Sequence, residues 1–186
     1  MSTLSNSEVG RSLVHIGPTS SVEGAMTRHC QSMVHVEAPP DAVFSYLDDH
    51  SRLSAHMSKR SWMMAGSRMA LELDAAEGRA VGSKLRLSGR VLGLMLFVDE
   101  VVIQRDPPER KAWETTSEPR LLIIGRYRIG FEIQPIDSGS RLTVFIDYAL
   151  PQAFPARWFG RIFGRLYAQW CTRRMVNEAA LHFGTK

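Results

Sequence analysis

The sequence predicts an α+β domain: a curved antiparallel β-sheet of six to seven strands wrapped around a long C-terminal helix, with two short helices after strand 1. Three observations carry this expectation. Between residues 62 and 150 the chain reads as six extended segments separated by turn residues, with no gap long enough for a crossover helix. Two of those segments alternate: Tyr127, Ile129, Phe131 and Ile133 share one face against Arg126, Arg128 and Glu132, and Leu142, Val144, Ile146 and Tyr148 share one against Arg141, Thr143 and Asp147. The long helical stretch comes last, over residues 156–183, following Pro151 and Pro155 with no proline inside. A sheet covered on one face and wet on the other, beside one long helix, is an α+β arrangement.

Taken in order, residues 1–26 are rich in Ser, Gly and Thr without sustained periodicity, and are expected to form a flexible N-terminal tail before a domain at 27–186. Residues 28–36 alternate Cys30, Ser32, Val34 and Val36 against Gln31, Met33 and His35, the pattern of a strand. Pro40 and Asp41 suit the first turn of a helix, and Ala42, Val43, Tyr46 and Leu47 follow at helical spacing, which predicts a helix over 40–47 and a second over 49–56. The remaining strands fall at 62–73, 84–92, 95–105, 111–117, 121–134 and 141–150. They are punctuated by Glu77 and Gly78 with Gly82, by Gly93, by Asp106 to Glu109 with its two prolines, by Pro119, and by Asp137 to Ser140.

With 186 residues, 44% hydrophobic and 23% charged, the chain suits one domain with its own core. Two cysteines, Cys30 and Cys171, exclude a disulfide framework and a four-cysteine zinc site. No apolar run approaches the ~18–20 residues of a membrane span, and the polar N-terminus lacks the apolar core of a secretory signal, so the expected location is cytoplasmic. The net charge of +4 is unevenly spread: beyond Pro151, six basic residues face the single acid Glu178, leaving that segment at +5. Such asymmetry points to an anionic partner.

Several chemistries lack their residues. There is no Gly-x-Ser-x-Gly elbow, no phosphate-binding Gly-rich loop and no dinucleotide fingerprint. His15, His29, His35, His50, His56 and His182 include no pair at i, i+4 on a helix, so neither a metal nor a cofactor is expected. Asp99, Glu114, Glu132, Asp147, Tyr127 and Tyr148 are candidates for proton transfer, but none is assigned a catalytic role, and Asp147 lies opposite the apolar face by parity. No aromatic-interleaved RNA-recognition strand is present, which disfavours nucleic acid.

The C-terminal helix carries two stripes. Phe159, Ile162, Phe163, Leu166 and Trp170 cluster within about 100° of arc, with Arg157, Arg161 and Arg165 roughly opposite. In the second half Cys171, Met175, Ala179 and Phe183 form the apolar face, continued upstream by Gly160, Gly164 and Ala168. The favoured expectation is a bend near Trp170–Thr172 that lets each half bury its own stripe. The alternative packs the small-residue strip on the sheet throughout and leaves the aromatic ridge outside, beside arginines, in the composition of a membrane-interface helix. Arg157, Trp158, Arg161 and Arg165 are accordingly the candidate surface for peripheral contact with an anionic membrane or another partner.

The element order resembles the helix-grip fold, and local sequence does too. The run from Val34 to Leu47 (VHVEAPPDAVFSYL) resembles the opening of the SRPBCC, or START-like, superfamily, in its polyketide cyclase/dehydrase and lipid-transport branch. Val81 to Leu85 (VGSKL) is similar to its glycine-containing entry to the third strand, and Asp106 to Trp113 (DPPERKAW) to its turn before an aromatic strand. The resemblance covers about 27–186. It implies a hydrophobic ligand held between sheet and helix, in a cavity expected to be lined by Trp113, Tyr127, Ile129, Phe131, Val144, Ile146 and Tyr148, with Phe159, Phe163, Leu166 and Trp170 completing the wall. The first expectation is binding or transport of a lipid-, quinone- or polyketide-like molecule without catalysis. The alternatives are a polyketide cyclase or aromatase using the same cavity, and a ribosome- or protein-binding module. Nothing in the sequence speaks to oligomeric state.

Overall fold

A computed structural model of the chain describes residues 28–53, 69–91 and 94–184. The expected N-terminal tail, the end of the expected second helix and the start of the 62–73 segment lie outside those residues. Seven strands, β1 (Arg28–Val36), β2 (Met69–Leu73), β3 (Lys84–Val91), β4 (Leu94–Asp106), β5 (Arg110–Thr115), β6 (Tyr127–Ile136) and β7 (Gly139–Tyr148), form one antiparallel sheet in the order β1-β7-β6-β5-β4-β3-β2. Strands β2 to β7 are a meander, as their short connections require, and β1 pairs with β7 along its length, from Arg28 opposite Tyr148 to Val36 opposite Ser140. The β6–β7 hairpin turns on Asp137 and Ser138, and Gly139 follows at φ +138°, where a side chain would run into the Val36 carbonyl. A register shift between Val102 and Gln104 in β4 bends the sheet.

Strand β6 begins at Tyr127, not near residue 121 as the pattern predicts. The Gly125 N–H donates to the Ala149 carbonyl at 2.9 Å, and the Ile123 carbonyl sits 2.6 Å from where a Cβ on Gly160 would be. Residues 121–125 therefore turn beneath the start of the last helix instead of extending the ladder.

Helix α1 (Pro40–Leu47) opens on Pro40 with Asp41 in its first turn, and it buries Val43, Phe44 and Leu47. Phe44 meets Phe131 of β6 edge-on at 5.6 Å between ring centroids. A four-residue helix, α2 (His50–Leu53), follows. Helix α3 (Ala156–Gly184) is one unbroken helix of 29 residues, so it does not break near Trp170–Thr172, and its two halves do not each bury their own stripe. Its buried stripe is Gly160, Gly164, Ala168, Cys171, Thr172, Met175, Val176 and Ala179, and it packs mainly against β1 and β7. Small residues let the helix axis approach the sheet closely; the aromatic stripe could not. Thr172 fixes this seam: its hydroxyl lies 3.1 Å from the Ala168 carbonyl and 2.8 Å from Ser32 Oγ of β1.

Candidate functional site

The inner face of the sheet gathers the seven strand residues expected there. Tyr127 lies opposite Tyr148, Ile129 opposite both Ile146 and Trp113, and Phe131 opposite Val144, and all seven are buried. Leu85 and Leu87 of β3 with Leu96, Val98 and Val102 of β4 extend the apolar wall. The helical residues behave differently. Trp170 is half-buried, 5.9 Å from Tyr167 between ring centroids. Phe159, Phe163 and Leu166 point outward, 43%, 43% and 57% exposed, and the structure does not bring them to the inner wall.

One acidic side chain belongs to this wall and is absent from the residues the sequence singles out. Glu100 of β4 is 4% exposed. The Tyr127 hydroxyl donates to its Oε1 at 2.5 Å, and the Trp113 indole N–H also donates to the carboxyl. Burial pushes the Glu100 carboxyl up to about 7, and the two donated hydrogen bonds only partly offset it. Burial, reinforced by the Glu100 charge, raises the Tyr127 hydroxyl well above its ordinary value. From α3, Tyr167 donates to Cys171, and burial pushes the Cys171 thiol up to about 12, which leaves it protonated and unreactive. Tyr167 and Cys171 lie within electrostatic reach of Tyr127, so strands β4, β5 and β6 and the helix converge on a single polar cluster in an apolar surround. The signal that could have found Glu100 is its parity with Leu96, Val98 and Val102.

The four carboxylates weighed as proton-transfer candidates are engaged on the other face or at its rim. Asp99 pairs with Arg86 at 2.6 Å, Glu114 with Arg128 at 3.3 Å, Glu132 with Arg110 at 2.9 Å and Asp147 with His29 at 2.7 Å. Tyr127 and Tyr148 point inward. A depression of about 420 Å³ over β2 to β4 is lined by Leu73, Leu85 and Thr116 together with Glu72, Asp74, Lys84, Arg86, Asp99 and Glu100; no residue of α3 lines it, so it is not the space expected between sheet and helix.

A second buried polar group closes the end of the sheet beneath α1. Asp48, which caps that helix, receives Arg105 through both Nε and Nη2 and Lys111 Nζ at 2.6 Å. Burial works against the Asp48 charge, but the hydrogen bonds from Arg105 and Lys111 outweigh it and hold the carboxyl below its usual range. His50 stacks edge-on against Trp113 at 4.9 Å, and burial with the nearby Lys111 charge pushes it down to about 3, so it stays neutral.

On the opposite side of α3, Phe154, Trp158, Phe159, Ile162, Phe163 and Leu166 form an exposed apolar ridge, with Phe154 87% exposed. Arg157, Arg161 and Arg165 are exposed on the same helix, roughly opposite the centre of this ridge. Among the described residues no helix is long and apolar enough to cross a membrane.

A curved seven-stranded antiparallel sheet gripping a long C-terminal helix, with an apolar inner wall, is the helix-grip architecture of the SRPBCC superfamily. The sequence profile of the polyketide cyclase/dehydrase and lipid-transport family matches residues 27–180, and the chain belongs to that family. No curated protein matches its sequence. Among solved structures it is similar to the di-domain ARO/CYC BexL from the BE-7585A biosynthetic pathway, with a TM-score of 0.59 and 16% identity over 86% of this chain and 50% of that one. It is also similar to the protein TTHA0849 from Thermus thermophilus (TM-score 0.56, 18% identity, 86% of this chain and 100% of that one). A third is major latex-like protein 151 from Panax ginseng (TM-score 0.52, 12% identity, 83% and 97%). At these identities the likeness is one of fold.

Proposed function

We propose that the protein binds and carries a hydrophobic small molecule, lipid-, quinone- or polyketide-like, between its sheet and α3. The observation that carries this reading is the inner wall itself: aromatic and branched side chains from five adjacent strands (β3 to β7) enclose one small polar cluster, the composition of a site that desolvates an apolar body and fixes it by a few polar contacts. The exposed ridge of α3, on a helix that also exposes Arg157, Arg161 and Arg165, fits an anionic membrane surface from which such a ligand is taken up. A cytoplasmic location accords with two free thiols, Cys30 and Cys171. A cyclase or aromatase working in the same interior is the second reading, and the convergence of Glu100, Tyr127 and Tyr167 is what favours it. Native mass spectrometry of gently purified protein, followed by solvent extraction, tests the first reading. A co-purifying hydrophobic molecule is expected. Protein that stays empty after incubation with membrane extract would overturn it.

A further inference from the structure

We propose that Glu100 anchors the head group of the ligand, selecting hydrophobic molecules that carry an amine or hydroxyl donor and turning away carboxylates. The inference rests on the reading of the interior as a ligand site and specifies what that site accepts.

The geometry is one-sided. Both groups that touch the Glu100 carboxyl, the Tyr127 hydroxyl and the Trp113 indole N–H, are donors. A carboxylate offers about four acceptor positions, so two donors leave room for a third or for replacement of one by a ligand donor. The ionisable groups around it on the inner side are Tyr127 on β6, which faces it, and Tyr167 and Cys171 on α3, both held protonated by burial. Glu72, Asp74, Lys84, Arg86 and Asp99 share the β2 to β4 depression that Glu100 also lines, with Lys84 exposed and Arg86 paired with Asp99 at 2.6 Å. None of the three inner groups is a cation that could neutralise an incoming anion. Lys111, buried on β5, and Arg105, partly buried on β4, are both committed to Asp48, and His50 is neutral. An anionic head brought to this point meets a like charge in a medium that screens poorly, while an ammonium or hydroxyl meets an acceptor. Above about pH 7, where the Glu100 carboxyl becomes mostly ionised, the discrimination is strongest.

The test uses three ligands of equal chain length, octylamine, 1-octanol and octanoate, competing at pH 8 against the uncharged probe N-phenyl-1-naphthylamine bound to the full chain. In the unaltered protein octylamine is expected to compete best, and octanoate at least about tenfold less well than octanol, a difference of about 1.4 kcal/mol. In Glu100→Gln the three should fall within about threefold of one another, because the charge is gone while shape is kept. Tyr127→Phe removes a donor and keeps the carboxyl, so it should retain the preference for the amine. Octanoate competing as well as octanol in the unaltered protein would overturn the proposal while leaving the carrier reading standing. Failure of the probe to bind would overturn that reading and the present one with it.

Discussion

Lys111 Nζ lies 2.6 Å from Asp48 Oδ1, and the lysine side chain is 0% exposed. The two residues are 63 positions apart, and their pairing ties the end of α1 to the middle of the sheet. A second hydrogen bond runs from Nζ to the Asp48 carbonyl at 3.1 Å. Burial pulls the Lys111 ammonium below its ordinary value, so its charge depends on the aspartate. Removing one member of a buried pair strands the other. Asp48→Ala is therefore expected to cost about 3–5 kcal/mol in urea unfolding. The double variant Asp48→Ala with Lys111→Met should cost clearly less than the single, because the stranded charge is gone too. Equal losses in the two would show that the lysine does not depend on its partner.

Two buried groups make stability depend on pH in opposite directions. His50 has its folded value pushed down to about 3, so between about 6.5 and 3 the unfolded chain takes up a proton that the folded one refuses, and stability falls on acidification. Glu100 has its folded value raised from 4.5 to about 7, so its favourable contribution is complete below 4.5 and is lost as pH rises through 7. Relative to the unaltered protein, Glu100→Gln should gain about 2–3 kcal/mol between pH 4.5 and 8, while His50→Gln should flatten the acid limb. Chemical denaturation at five pH values reads both. A stability difference for Glu100→Gln that does not change with pH would contradict the assignment of a raised carboxyl.

Much of the fold is visible in the sequence because alternation and turn chemistry are local. The inner residues of β6 and β7 follow from parity alone, and the helix over 40–47 follows from Pro40, Asp41 and the spacing of Val43 and Leu47. What the sequence hides is set by groups far apart in the chain. The choice of helix face is an example: hydrophobicity favours Phe159, Phe163 and Leu166, whereas close approach to the Ile123 carbonyl favours Gly160, and the close approach wins. Glu100 shares the phase of Val98 and Val102, yet a carboxylate on a strand ordinarily faces solvent, as its neighbour Asp99 does in pairing with Arg86. Lys111 is the same case on β5, since only the distant Asp48 makes its burial tolerable.

The seam of α3 makes unequal demands on its two glycines. A Cβ on Gly160 would lie 2.6 Å from the Ile123 carbonyl and 2.8 Å from Pro151 Cδ, and backbone cannot give way cheaply. On Gly164 the nearest atom would be Tyr148 Cε2 at 3.4 Å, an ordinary contact. Alanine in place of a mid-helix glycine is worth about 1 kcal/mol where it fits, and overpacking costs about 1–3 kcal/mol where it does not. Gly164→Ala is expected to raise the melting temperature and Gly160→Ala to lower it. If both variants were stabilised, the helix would not approach the sheet at residues 121–125 as closely as described.

The ridge of α3 predicts a membrane interaction with two separable parts. Trp158 and Phe159, 5.3 Å apart between ring centroids and both exposed, supply apolar surface to bury among lipid head groups. Arg157, Arg161 and Arg165 supply attraction worth about 1 kcal/mol each at an anionic surface, about 3 kcal/mol together, or a partition change of about 100-fold. In flotation with vesicles containing a third anionic lipid, the unaltered protein should float at low salt and lose most of that binding as salt is raised. Changing the three arginines to glutamine should abolish the salt dependence along with the anionic preference. Changing Trp158 and Phe159 to alanine should weaken binding at every salt concentration, because the apolar contribution is not screened. Unaltered flotation in the Trp158 and Phe159 variant would show that the ridge serves another surface. The fold itself is expected to be indifferent to these five substitutions, since the buried stripe from Gly160 to Ala179 holds the helix without them.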